Sequence, residues 1–175
     1  EPIQADGQIG KAQSFDGRND YVDCGNDTSL NITGEITLEA YIKHNLETNT
    51  RGEIMGNHQN MYKGYEFAKY LNNKIYFWAA DGSSWNEFIS TTALSANTFY
   101  HVVCTNNSSY RKIYINGVED VSASGISSIA SSSNSVDIGL CPAVNQFPFK
   151  GIIDEVRISN VARSAAWIKA TYNSL

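Results

Sequence analysis

The sequence predicts an all-β domain: a two-sheet antiparallel β-sandwich of jelly-roll type with a short C-terminal helix. Three observations predict it. Short runs alternate apolar and polar residues with period two, Gly, Asn and Ser punctuate those runs, and a single segment of helical period stands at the end of the chain. Such alternation gives each strand one apolar face, and two sheets bury those faces against each other. The 175 residues suit a single domain, 1–175, with its core at about 8–173. A solenoid would need internal repeats, and none is evident.

The elements follow in order. Ile36, Leu38, Ala40 and Ile42 alternate with Thr37, Glu39, Tyr41 and Lys43, which predicts one strand with an apolar face and a polar, aromatic opposite face. Gly64–Tyr70 and Lys74–Ala80 flank Leu71-Asn72-Asn73 and read as a hairpin. Arg111–Ile115 runs into Asn116-Gly117, the strongest short turn signal, and Val118 starts the return strand. Ser122–Ser135 holds eight Ser, yet Ile126 and Ile129 predict a surface connection anchored to the core instead of a free linker. Val136–Gly139 and Gly151–Ile158 are further strands, with Pro142 and Pro148 confining the stretch between them to loop. Ser164 can cap a helix through Tyr172 in which Trp167, Ile168 and Tyr172 share one apolar side.

Composition narrows the function class. Apolar residues at 42% and aromatics at 11% suffice for an ordinary core, so wholesale disorder is excluded. Thirteen basic against eighteen acidic residues leave a net charge of −5 and no basic stripe, which makes nucleic acid a poor partner. No run approaches the roughly 18 apolar residues of a membrane span, and the N-terminus has no basic-then-apolar signal pattern, so no membrane insertion is expected. The chain reads as soluble, mature or excised. With 18 Asn, 19 Ser and 10 Thr against only 18% charged residues, the balance suits an uncharged polar ligand or a water-facing β surface. Cys24, Cys104 and Cys141 are an odd set without CxxC spacing; Cys24 and Cys104 alternate with valines and read as small buried hydrophobes.

Phe15-Asp16-Gly17, Asp20-Tyr21-Val22, Ile36–Lys43, Tyr100–Val103, Tyr114–Gly117, Ile138-Gly139 and Phe149–Ile158, with Asn160 and Ala162-Arg163, occur in that order. The sequence of fragments resembles a laminin G-like domain of the concanavalin A-like lectin/glucanase superfamily, over roughly residues 8 to 173. It is similar to the versions found as modules in large secreted or surface-anchored bacterial and archaeal proteins. The resemblance implies two curved antiparallel sheets, often with one structural calcium ion, and a history of carbohydrate or protein binding.

On that resemblance, a structural Ca²⁺ is expected at Asp16, Asn19 and Asp154, because related domains carry an ion at the matching positions and the first and last strands commonly lie side by side. Calcium takes six to eight oxygens, which carboxylates, Asn amides and loop carbonyls supply together. The alternative is that Asp16 and Asn19 shape a turn while Asp154 pairs with Arg157 or Arg18. The superfamily's retaining glucanases carry Glu-x-Asp-x-x-Glu on one strand, and no such spacing exists here. His44, His58 and His101 form no metal or triad motif, so the chain reads as non-catalytic.

A sugar-binding face needs flat rings for pyranose faces and amides or carboxylates for hydroxyls. The stretch from Asn57 to Asn86 is the densest such mixture in the chain, and Tyr76 and Trp78 share a strand face opposite Ile75, Phe77 and Ala79, so only one set can be core. His58, Asn60, Tyr65, Trp78 and Trp85 are the expected ligand residues, joined by Glu39 and Tyr41 if their strand lies in the concave sheet where relatives bind ligands. The functional expectation is a non-catalytic carbohydrate-binding or adhesion module of a larger secreted or cell-surface protein, with a poly- or oligosaccharide and the parent's other domains as partners. The alternative is a structural spacer or protein-interaction domain with no sugar ligand.

Overall fold

The computed structural model describes residues 1–45, 50–141 and 146–174. Pro142, expected in a loop, lies outside the described residues. The first strands are β1 (Ile3–Asp6), β2 (Lys11–Asp16), β3 (Val22–Asp23), β4 (Ile36–His44), β5 (Gly52–Gly56) and β6 (Tyr65–Lys69). They are followed by β7 (Lys74–Ala80), β8 (Trp85–Ala93), β9 (Tyr100–Asn106), β10 (Tyr110–Ile115) and β11 (Val118–Ser124). The short β12 (Asp137–Ile138), the long β13 (Lys150–Ser159) and helix α1 (Ala165–Asn173) complete the order. The strands form a seven-stranded sheet, β1-β2-β13-β4-β9-β10-β11, and a six-stranded sheet, β3-β12-β5-β6-β7-β8. Every pairing is antiparallel. This is the sandwich that alternation predicts.

The core lies between the sheets. Ile36, Leu38, Ala40 and Ile42 of β4 face Phe67 of β6 and Ile75, Phe77 and Ala79 of β7 within one buried cluster. Which set of β7 is core is thereby decided: Tyr76 and Trp78 point outward, away from the other sheet. The hairpin at Asn116-Gly117 has φ of 52° and 75° at its two central residues, the left-handed pair that a two-residue turn between twisted strands requires. A side chain at Gly117 would also run into the Tyr172 ring, 3.1 Å from the place its Cβ would occupy.

The polar face of β4 departs from expectation. Thr37, Glu39 and Tyr41 are as buried as its apolar face. The cause is α1, capped by Ser164, whose Oγ accepts from the Trp167 amide. Its Ile168 and Trp167 pack on Val103 and Tyr114 on the outer face of the seven-stranded sheet. Beneath it Glu39 accepts from His101 Nε2 at 2.8 Å and from Arg157 Nη1 at 3.0 Å, while His101 lies between the Tyr41 and Tyr172 rings. Cys104 is buried as expected; Cys24 is exposed, because the two-residue β3 sits at a sheet edge and ends before it. Among the described residues no helix is long and apolar enough to cross a membrane.

The serine-rich connection after β11 is anchored by Ile126 and Ile129, both buried in the core. Asn106, fully buried at the end of β9, fixes it by donating to the Ile126 carbonyl and accepting from the Ile126 amide. Asn106→Ala is expected to strand both buried backbone groups, at about 1–3 kcal/mol each. Urea unfolding is expected to show a loss of at least about 2 kcal/mol, and a loss under about 0.5 kcal/mol would refute this role.

Candidate functional site

The outward face of the six-stranded sheet carries the chemistry. Register places Asp137 opposite Gly56, Gly56 opposite Glu66, Glu66 opposite Trp78 and Trp78 opposite Glu87, so these residues form one row across β12, β5, β6, β7 and β8. Glu53, Ala68 and Tyr76 form the next row. Gly56 leaves the room that Glu53 needs, since a Cβ there would stand 2.7 Å from Glu53 Oε1.

Arg51 enters this face just before β5. Its side chain is only 8% exposed, and the guanidinium lies 4.2 Å above the Trp78 ring and 3.9 Å from the Phe147 ring. Nη2 donates to Glu66, which is wholly buried, and lies 3.9 Å from Glu53. His58 donates from Nδ1 to the other oxygen of Glu66 at 3.1 Å and stacks on Trp85 with centroids 4.5 Å apart. Arg51, His58, Asn60, Trp78, Trp85, Gln146 and Phe147 line a cavity of about 340 Å³. The rings continue past it: Tyr76 meets Trp78 edge-on at 4.4 Å, and Tyr62 lies 6.3 Å from Trp85. Three residues at the rim hold left-handed backbone without being glycine, Met61 at φ 68°, Tyr62 at 61° and Phe147 at 63°. Such conformations persist where surrounding contacts over-determine them, and they cluster at ligand clamps.

The serine-rich connection positions this loop. Ser132 Oγ donates to the Asn57 carbonyl, Asn134 Nδ2 donates to the His58 carbonyl, and Gln59 exchanges hydrogen bonds with Ser133. Asn57 Oδ1 in turn accepts from the Tyr65 amide, tying the loop back to β6. A segment that composition marks as flexible thus serves as a brace.

Burial sets the protonation states. Burial, and after it the charge of Arg51, lowers His58 to about 4, so the imidazole is neutral at physiological pH. Glu53 has no hydrogen-bond partner on either oxygen, and burial drives its carboxyl well above the usual range, with Arg51 opposing and Asp137 adding to the rise. Burial likewise raises Asp137 to about 6, against the hydrogen bond from Ser135 and with the help of Asp23.

Four of the expected ligand residues, His58, Asn60, Trp78 and Trp85, meet at the cavity. Three do not. Tyr65 is a core residue whose hydroxyl donates to the Leu30 carbonyl, because alternation along β6 sends it inward with Phe67. Glu39 and Tyr41 lie in the other sheet and are sealed under α1. Arg51, Glu66, Gln146 and Phe147 were not anticipated. Alternation within Tyr65-Glu66-Phe67 points Glu66 outward and so could have found it; no local pattern marks Phe147, which arrives from a loop distant in sequence.

The calcium trio also needs correction. Asp16 stands opposite Lys150, while Asp154 lies four residues further along β13, beyond the Ile153–Gln13 pair. At about 3.3 Å per residue the two are roughly 13 Å apart, too far for one ion with oxygens at 2.3–2.6 Å. Asp154 accepts from the backbone amides of Ile9 and Glu155, and Asp16 from that of Arg18, so each carboxylate finds N–H donors locally. Asn19 is exposed and lines a separate shallow pocket with Tyr21 and Asp23. The three residues therefore do not fit a shared calcium ion.

Fold and site together define a lectin-like β-sandwich: two antiparallel sheets with an aromatic and amide-lined cavity on one outer face. Residues 16–169 match the laminin G-type family model of the concanavalin A-like lectin/glucanases superfamily, and the chain belongs to that family. Among solved structures it is similar to domain 4 of AbnA, an extracellular arabinanase of Geobacillus stearothermophilus in complex with arabinotriose. There the TM-score is 0.79 at 20% identity, covering 97% of this chain and 80% of that one. The carbohydrate-binding module of a Ruminococcus gnavus sialidase, bound to α2,3-sialyllactose, gives 0.75 at 13% identity, covering 98% and 96%. The binding domain of Paraclostridial Mosquitocidal Protein 1 gives 0.81 at 17%, covering 99% of this chain and 45% of that one. At these identities the likeness establishes the fold. No curated protein matches the sequence.

Burial of Asp137 makes the stability of the fold depend on pH. A folded value of about 6 against an ordinary 3.8 means that its contribution is fully present below about pH 3.8 and is lost as pH rises through 6. Asp137→Asn removes that loss, so its stability relative to wild type is expected to rise between pH 4 and pH 7, by on the order of 3 kcal/mol at most, with the melting temperature following. Thermal unfolding of both proteins across this range checks it; a difference independent of pH would contradict the assignment.

Proposed function

We propose that this chain is a non-catalytic carbohydrate-binding module of a secreted or cell-surface protein, holding a short stretch of oligosaccharide in the cavity on the six-stranded sheet. The observation that carries the reading is the cavity's lining: the rings of Trp78, Trp85 and Phe147 beside the amides of Asn60 and Gln146. Rings match the apolar faces of pyranoses, and amides match their hydroxyls. That the solved relatives include domains in complex with arabinotriose and sialyllactose supports the same ligand class.

A glycosidase of this superfamily would turn two carboxyl groups toward the scissile bond. Here Glu53 and Glu66 are buried beneath Arg51 and His58, and Glu66 is bonded to both. They build the cavity floor and do not reach the ligand. Two or three rings and a few hydrogen bonds give roughly millimolar to micromolar affinity after association costs. Such binding becomes effective when the module is tethered to other domains of a parent protein.

Trp85 is half-buried at the rim, so Trp85→Ala is expected to fold normally and to weaken binding about tenfold or more, the worth of one ring. NMR titration with arabinan, xylan and lactose-series oligosaccharides reads it. If the wild type binds and Trp85→Ala leaves every shift perturbation intact, the cavity is not the site. If no glycan shifts any resonance of the wild type, the spacer or protein-interaction reading takes its place.

A further inference from the structure

The cavity contains one formal cation among its described lining residues, Arg51, and its surroundings decide which sugars it admits. Two rings crowd the guanidinium, Trp78 at 4.2 Å and Phe147 at 3.9 Å. Its Nη2 edge is taken by Glu66. Glu66 is fully buried and also holds His58, so it cannot swing aside for an incoming anion without breaking two bonds in a dry site. The charges of Arg51 and Glu66 cancel, and the half-buried imidazole of His58 adds none at neutral pH.

Beyond this floor the charge turns negative. Glu87 accepts from Trp78 Nε1 at 3.3 Å and from the Tyr76 hydroxyl, which places a carboxylate at the edge of the aromatic wall. Asp81 follows on the adjoining turn, where it accepts from Asn86 Nδ2, and the whole chain carries −5. A ligand carboxylate or sulfate would find the guanidinium already paired with Glu66, its unpartnered Nε shut off from solvent, and like charge at the rim. A neutral sugar would meet rings and amides and displace only water.

We propose that Glu66 is a specificity-determining positioning residue: by holding Arg51 against its two rings, it closes the cavity to anionic sugars and reserves it for neutral ones. The inference rests on the reading of this cavity as a sugar site. It separates this chain from its structural relative bound to sialyllactose, whose ligand carries a carboxylate.

The test uses matched probes that differ only in charge: lactose against α2,3-sialyllactose, and methyl-esterified trigalacturonate against the free acid, titrated into the intact wild-type chain and into Glu66→Gln. In the wild type the neutral member of each pair that binds is expected to bind at least about tenfold tighter, a difference well resolved by titration. Glu66→Gln frees the guanidinium edge while keeping the shape, and is expected to shrink or invert that ratio by about tenfold. A purely structural role for Glu66 would weaken both members alike and leave the ratio unmoved, which would overturn its assignment. Should Glu66→Gln not fold, the wild-type ratios still decide: acidic members binding as well as neutral ones overturn the charge selection while leaving the sugar reading intact. Failure of every neutral and acidic glycan to bind removes the sugar reading, and the selection with it.

Discussion

A guanidinium removed from water costs several kcal/mol unless its charge is met, and the outer face of the six-stranded sheet is organised around meeting that demand for Arg51, whose Nε stays buried without a partner. Glu66 supplies the counter-charge from β6, Trp78 a ring from β7 and Phe147 a ring from a distant loop. Each partner is in turn fixed by something else. Glu66 is shared with His58, and His58 with Trp85. The Phe147 carbonyl accepts from the amide of Glu53, so the loop that brings the ring is also an extra strand-like partner for β5. Remove the guanidinium and the two rings lose the cation they share, while Glu66 becomes a buried charge with a single partner.

The two sheets treat their outer faces differently, and that difference marks out the candidate site. On the seven-stranded sheet the outer face is covered by α1, and its polar residues close on one another: Glu39 on His101 and Arg157, His101 between two tyrosines. His101 Nδ1 keeps no hydrogen-bond partner there, but it is buried out of a ligand's reach. On the six-stranded sheet no helix among the described residues covers the rings, and the loops around Met61, Tyr62 and Phe147 wall the cavity instead of filling it. Local backbone strain at these three positions is stabilised by the contacts of the Ser132–Asn134 segment with the Asn57–Gln59 loop and by the Phe147–Glu53 hydrogen bond.

A buried acid without partners is expensive, and Glu53 avoids the expense by keeping its proton; Asp137, which accepts from Ser135, is raised only to about 6. A neutral floor under an aromatic cavity suits hydroxyl-bearing ligands, whose recognition depends on stacking and on hydrogen bonds too weak to compete with a strong local field.

The sequence by itself determined the elements whose information is local. Period-two alternation fixed which side of β4, β6 and β7 could face a core, Asn116-Gly117 fixed a hairpin through its left-handed backbone, and Ser164 fixed where α1 begins. It also held the ingredients of the site, because His58, Asn60, Trp78 and Trp85 lie within one hairpin's reach of each other. Only the tertiary structure decided the rest. Whether β4's polar face is open depends on where a helix some 120 residues later docks, which is why Glu39 and Tyr41 resemble ligand residues in sequence and are sealed in the fold. Whether Asp16 and Asp154 share an ion depends on strand register, and the pairing of Asp16 with Lys150 holds them apart. Register and docking are properties of contacts between segments distant along the chain, set by how whole faces bury one another, so no single stretch of sequence carries them.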